Sequence, residues 1–315
     1  TAVYSAVTGT SAYNTTSTDP MENRFPIGKG WRWNIPFVRT VDGKKFVYLE
    51  DGSTYEISGT QLKNYPWSDL SFVADSSVNV SGRNSSHALK SVFGTNYYFD
   101  SSGNLLAIKD PYGNATLFAY SNVSPYGLIL TSVTDAAGNV LTISYNSNKV
   151  IIEVGDRKVT YTKTTKDGME LLSKVKDPMN RETTYSYSIK SAHFNLLGTT
   201  PSAYNPYALL TGIMHPTGVE TVYTYETNPV TRRIASNQVN QVYRIANRVD
   251  VVAVQNGTPE SYNYSSIVYS GDMASTYGLD ATFSTTLFDG LLQTIVTFFR
   301  DYVNSSVGNV YYETE

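Results

Sequence analysis

Leu105 to Tyr120 reads LLAIKDPYGNATLFAY, and the same sixteen-residue frame returns without gaps as Leu130 to Tyr145 (LTSVTDAAGNVLTISY), Leu172 to Tyr187 (LSKVKDPMNRETTYSY) and Leu210 to Tyr225 (LTGIMHPTGVETVYTY). Set the central Asp, replaced by His215 in the last copy, as position zero. Leu then stands at −5 (Leu105, Leu130, Leu172, Leu210) and Ile or Val at −2 (Ile108, Val133, Val175, Ile213). An aromatic or aliphatic residue fills +8 (Phe118, Ile143, Tyr185, Tyr223), and Tyr fills +10 (Tyr120, Tyr145, Tyr187, Tyr225). Self-similarity of this kind predicts a quasi-one-dimensional architecture, because each unit buries its apolar face only against its neighbours.

The turn residues explain the middle of the frame. In Asp110-x-x-Gly113-Asn114 and Asp135-x-x-Gly138-Asn139 a short carboxylate can accept backbone N–H bonds two residues on, while Gly supplies positive φ. Pro111 and Pro178 pre-set the first central position of a type I turn. Asn180 after Asp177 takes the Gly position, and Asn tolerates the left-handed region best after Gly. His215 with Gly218 keeps the frame while changing the acceptor. Beyond each turn, +8 and +10 share one strand face, which predicts tyrosine beside tyrosine in stacked copies, with hydroxyls reaching water. Positions −5 and −2 are three apart, a spacing that needs a β-bulge or a late strand start. The fold class expected is all-β: repetitive antiparallel hairpins forming one continuous curved sheet.

This unit resembles the YD-repeat, or Rhs repeat, of bacterial Rhs proteins, Gram-positive wall-associated proteins, the shell components of insecticidal toxin complexes and animal teneurins. The runs D-x-x-G-N-x-x-x-F-x-Y (Asp110 to Tyr120) and D-x-x-G-N-x-x-x-I-x-Y (Asp135 to Tyr145) carry the resemblance. Upstream, Phe25 to Pro36 (FPIGKGWRWNIP) is similar to the Gly-Trp segment that precedes the repeats in Rhs-type chains, and Phe46 to Ile57 forms a hairpin signal around Asp51-Gly52. The resemblance implies a non-enzymatic scaffold, the N-terminal part of a shell that encloses or presents a C-terminal toxin or other effector. It implies a secreted or cell-wall-associated bacterial location, with the rest of the shell and the encapsulated effector as partners. Family shells often release cargo by self-cleavage at a distal motif; none is recognisable in this sequence, so no catalytic residue is assigned. The organisation expected is an extended lead-in over 1–24, the Gly-Trp segment and first hairpins over 25–93, and repeat sheet over 94–315, continuing past Glu315.

Composition narrows the alternatives. With 41% hydrophobic and 16% charged residues the chain is that of a folded protein, and 26 Tyr against 12 Phe and 3 Trp favours sheet surfaces over helices. A net charge of −3 with dispersed Lys and Arg argues against a nucleic-acid footprint. No eighteen-residue apolar run exists, so no membrane-spanning helix is expected. The absence of Cys excludes disulfides, thiolate metal sites and a Cys nucleophile. Lys149 to Val154 and Lys158 to Thr162 flank Gly155-Asp156-Arg157 as a spacer hairpin, Ser188 to Asn205 reads as a surface loop, and alternating apolar runs resume after Asn237.

No cofactor or metal is expected. His87, His193 and His215 lack metal-ligand spacing, and the repeated Asp residues are accounted for by turns. Trp31, Trp33 and Trp67 could stack on sugar rings, which gives an alternative class, a carbohydrate- or cell-surface-binding adhesion module. A third reading is a polysaccharide-degrading enzyme on a β scaffold, which would need two convergent carboxylates.

Overall fold

A computed structural model describes residues 2–4, 24–41, 43–192, 205–235, 238–253, 257–271, 282–289, 292–301 and 310–314. Its strands, in chain order, are β1 (Ala2–Tyr4), β2 (Trp31–Trp33), β3 (Phe37–Val41), β4 (Lys44–Tyr48), β5 (Thr54–Ser58), β6 (Gln61–Leu62), β7 (Leu70–Ala74), β8 (Asn79–Val80), β9 (Arg83–Asn84), β10 (His87–Ser91), β11 (Asn96–Phe99), β12 (Leu105–Lys109), β13 (Ala115–Val123) and β14 (Gly127–Thr134). They continue as β15 (Val140–Tyr145), β16 (Lys149–Val154), β17 (Arg157–Lys166), β18 (Met169–Lys176), β19 (Glu182–Ala192), β20 (Asn205–Met214), β21 (Val219–Tyr225), β22 (Val230–Ala235), β23 (Gln238–Val242), β24 (Ile245–Val252), β25 (Glu260–Gly271), β26 (Thr282–Asp289), β27 (Leu292–Asp301) and β28 (Val310–Thr314). The protein is all-β, and most of its hairpins follow one another in one large curved antiparallel sheet.

That ladder begins at β7, which pairs with β10. From β10 to β21 each strand pairs with its sequence neighbour, and β24 to β28 extend the same sheet. The hairpin β22–β23 stands outside it, so β21 pairs directly with β24. The strands β3–β4–β5–β6 make a separate four-stranded sheet, and β1 pairs with β2. Because β7 and β10 already belong to the ladder, position 93/94 is no break in the sheet.

All four repeat turns have the same backbone. The N–H at zero bonds the carbonyl at +4, and the N–H at +3 bonds back to the carbonyl at zero: Asp110 with Asn114 and Gly113, Asp135 with Asn139 and Gly138, Asp177 with Arg181 and Asn180, His215 with Val219 and Gly218. This is the three-residue hairpin loop, a type I turn closed by a left-handed residue. The +3 residue has φ of 88° at Gly113, 86° at Gly138, 64° at Asn180 and 84° at Gly218.

The −5/−2 spacing is resolved by a bulge. Ala119 faces Ser132 while Tyr120 faces Leu130, which leaves Thr131 as an extra residue on β14. The same slip leaves Leu106 extra on β12, Ser173 on β18, Thr211 on β20 and Ala246 on β24. One additional residue reverses the alternation, so Leu130 and Val133 join the same apolar cluster, as do Leu172 and Val175. The bulged hydroxyls turn across the ladder: Thr131 Oγ1 donates to the Ala119 carbonyl (3.3 Å) and Ser173 Oγ to that of Thr162 (2.9 Å).

Below the bulge, backbone pairing of a unit's two arms ends, at Ser132↔Thr142, Lys174↔Thr184 and Gly212↔Val222. The repeat tyrosine then takes over. Tyr145 Oη donates to Leu130 O (2.6 Å), Tyr187 Oη to Leu172 O (2.7 Å) and Tyr225 Oη to Leu210 O (2.7 Å). A carbonyl released from the ladder inside an apolar layer would otherwise be left unpaired at a cost of about 1–3 kcal/mol. The tyrosine row therefore differs from the arrangement predicted by strand alternation alone. Across the ladder Tyr faces aliphatic residues, as in Tyr120↔Leu130, Tyr145↔Val150, Tyr187↔Leu210 and Tyr225↔Ile245, and the hydroxyls point to backbone rather than water.

One further expectation is corrected by the ladder. Ser188 to Ala192 are not loop but the end of β19, paired with 205–209 at the start of β20; 193–204, with His193, lie outside the described residues. In the copy carrying His215 and Val219 the turn keeps its geometry, because the backbone bonds do not require the carboxylate.

Replacing Tyr145 or Tyr187 by Phe removes only a hydroxyl, yet strands a buried carbonyl. We expect a loss of about 1–3 kcal/mol in urea unfolding for each, larger for Tyr187, which also accepts from Trp31 Nε1. Tyr112→Phe, in a turn at 90% exposure, should leave the transition unmoved.

Candidate functional site

The most heavily built region of the molecule is the seat of the Gly-Trp segment on the apolar face of the ladder. Phe25, Ile27, Trp31, Trp33 and Phe37 are buried and share one cluster with Phe118, Leu130, Ile143 and Leu172 from the repeats and Val150 from the spacer hairpin. Gly28 lies against backbone: a Cβ there would meet the Leu172 nitrogen at 2.4 Å, at a φ of 122° that L side chains avoid. This close approach lets Lys29 N–H bond the Glu170 carbonyl (2.8 Å), so Gly28 is required twice, by space and by conformation.

The two tryptophans fix the segment to the tyrosine row. Trp31 meets Tyr185 edge to face at 4.9 Å, and Trp33 meets Tyr161 in the same manner at 5.1 Å. Trp31 Nε1 donates to Tyr187 Oη (2.8 Å), whose own proton goes to Leu172 O, so one phenol relays between indole and bulge. Burial raises the phenol pKa of Tyr120, Tyr145 and Tyr187, keeping all three protonated. At the other end Arg24 Nη2 donates to Ser102 O (3.0 Å), and Val38 N–H bonds Gly103 O (2.8 Å).

Burial excludes Trp31 and Trp33 as sugar platforms, at 7% and 6% exposure, whereas Trp67 is 69% exposed with Tyr65 edge-on at 5.7 Å. A rigid indole can stack on a ligand only if a face is open, and two of the three are closed by the ladder.

The repeat aspartates form a row of Asx turns. Asp110 Oδ1 accepts from the N–H groups of Tyr112 and Asn114 and Oδ2 from Asn114 Nδ2 (2.7 Å); Asp135 repeats this with Ala137 and Asn139. These Asn side chains, ahead of the backbone donors, hold both carboxyls below their ordinary value. At Asp177 desolvation opposes the charge, but the Arg181 guanidinium at 2.7 Å and two backbone N–H groups still lower it. His215 Nε2 instead contacts Thr221 Oγ1 (3.1 Å), which donates to the buried Asp250 (2.7 Å). Among the described residues no three His, Asp or Glu side chains are grouped to hold a metal ion, and no helix is long and apolar enough to cross a membrane.

Sequence spacing missed several members of this framework. Asp100-Ser-Ser-Gly103-Asn104 forms the same turn in buried form, its Asp paired to Arg83 at 2.5 Å. Ser91 replaces Asp in the turn before it, accepting from Phe93 N–H (3.1 Å). Tyr161 and Lys163 face Val175 and Leu172 as a +8/+10 pair, with Lys163 in the Tyr position, bonded to Tyr126 Oη and Glu170. Ile245 is a further −5 residue, its carbonyl taken by Tyr269 (2.9 Å) after a longer hairpin. No protein-family model matches the chain, and no curated protein matches it.

Because the folded pKa of Asp110, Asp135 and Asp177 lies below the ordinary 3.8, their contribution to stability is present above that pH and lost as acid protonates them below it. The unfolding midpoint should therefore fall below about pH 4, and the triple variant D110N/D135N/D177N should show a shallower acid slope. An unchanged slope would remove these turns from the account.

Proposed function

We propose that the chain is a stretch of the wall of a YD-repeat, Rhs-type shell: a non-enzymatic scaffold whose partners are the remainder of its own shell and an effector held within or presented by it. The observation that carries this reading is the seating of the Gly-Trp segment across the repeat face, where Gly28 lies against the Leu172 backbone and Trp31 and Trp33 pack on Tyr185, Tyr187 and Tyr161. A ladder in which each hairpin is completed by the next resists local opening, which suits a container. A bacterial, secreted or wall-associated setting belongs to the same proposal, and the Cys-free sequence makes the wall indifferent to redox conditions. A contribution from cell-surface glycans rests on Trp67 alone.

Limited proteolysis of the product of the whole gene tests the proposal. A polypeptide distinct from the ladder should survive in the wild type and be digested in Gly28→Ala. A product made of ladder throughout, or a remainder cleaved equally in both, would contradict a shell.

A further inference from the structure

Where the four-stranded sheet meets the start of the ladder, a cleft of about 530 Å³ opens between β4–β5 and β7–β10. Ile57 and Phe72 give it an apolar side, and Lys44, Lys45, Glu56, Thr60 and His87 a polar one, in which Glu56 is paired to Lys44 and Lys63. The imidazole of His87 stacks on Phe72 at 5.0 Å and 16°.

The protonation of His87 follows from its neighbours. Lys45 Nζ lies 3.5 Å from Nε2 and carries only donors, and Ser86 Oγ lies 2.8 Å from Nδ1, an arrangement that suits the neutral tautomer with its proton on Nδ1. Burial first, and Lys45 second, depress the His87 pKa. Of the other charges around it, Glu56 is shared by Lys44 (3.7 Å) and Lys63 (3.5 Å), Asp75 is taken by Lys90 (2.9 Å), and Asp100 by Arg83. Buried Arg39 and Asp100 line a smaller cavity of about 50 Å³ that shares Lys45 and His87 with the cleft. Lys45 and His87 thus face each other 3.5 Å apart, and the lysine charge disfavours protonation of the imidazole in a way that an anion lodged between them would relieve.

We propose that this cleft binds an oxyanion carried on a sugar ring, a carboxylate or a phosphate, clamped by Lys45 and His87, and that binding takes up a proton at His87. The volume falls in the range of small-molecule sites and exceeds what a bare anion fills, and Ile57 offers the ring an apolar contact, the buried Phe72 being covered by His87. This inference is independent of the shell: a wall segment without cargo would bind equally well.

Titration calorimetry on the chain with glucuronate, glucose 6-phosphate and glucose is the test. We expect saturable binding of at least one anionic sugar and none of glucose, and the tighter of the two anions identifies the group. Buffers of different ionisation heat should report proton uptake that disappears in His87→Gln. Glucuronate, whose charge is constant over the range, should bind more tightly at about pH 5.5 than at about pH 8 if it is the ligand. Lys45→Gln, at an exposed position, should weaken binding about tenfold or more with an unchanged melting curve. Binding of glucose as strong as that of the anions, no saturable binding of either anion at millimolar concentration, proton uptake unchanged in His87→Gln, or affinity unchanged in Lys45→Gln would overturn the proposal.

Discussion

The bond from the repeat tyrosine to the carbonyl fifteen residues earlier is the constraint on which the rest depends. A bulge at −4 is what lets Leu and Val three apart share one apolar face, but it also frees a carbonyl inside that face. Tyr is the residue that meets both demands, since its ring fills the layer and its hydroxyl donates. A Phe at +10 would pack but not donate, and a Ser would donate but leave a void. Repetition of the bulge therefore entails repetition of the tyrosine. The Gly-Trp segment uses the same apparatus, with Trp31 donating to the hydroxyl that closes the third bulge.

Much of this fold was legible in the sequence. Asp-x-x-Gly-Asn specifies its turn locally, because donor and acceptor lie within four residues of each other. The −5/−2 spacing announced an irregular strand. The tyrosine bond was not legible, because strand periodicity assigns a face to Tyr145 but says nothing of which backbone group its hydroxyl reaches. The expected Tyr–Tyr neighbours failed for a different reason: the next unit's Leu-bearing strand lies between two tyrosine strands, so Tyr120 on β13 meets Leu130 on β14. Ile245 and Tyr269 escaped a fixed frame because the longer β24–β25 hairpin separates them by more residues, and Ser91 because a hydroxyl stands in for a carboxylate.

The site was legible only as a composition. Apolar residues around Gly28 and Gly30 signalled burial, but not that Trp31 and Trp33 would be closed by repeats more than a hundred residues later, which removes them as sugar platforms. Long-range packing of this kind depends on how far the sheet curls, a property of the assembled ladder and not of any window of sequence. Lys45 and His87 are likewise far apart in the chain and meet only because β4 and β10 border the same cleft.

The central claim is tested most directly by NMR on the hydroxyl protons of Tyr145, Tyr187 and Tyr225. The account predicts three hydroxyl resonances protected from exchange with water, each with a through-space contact to the residue at −5 of its own unit, Leu130, Leu172 or Leu210. Hydroxyls that exchange freely, or contacts to other residues, would contradict it.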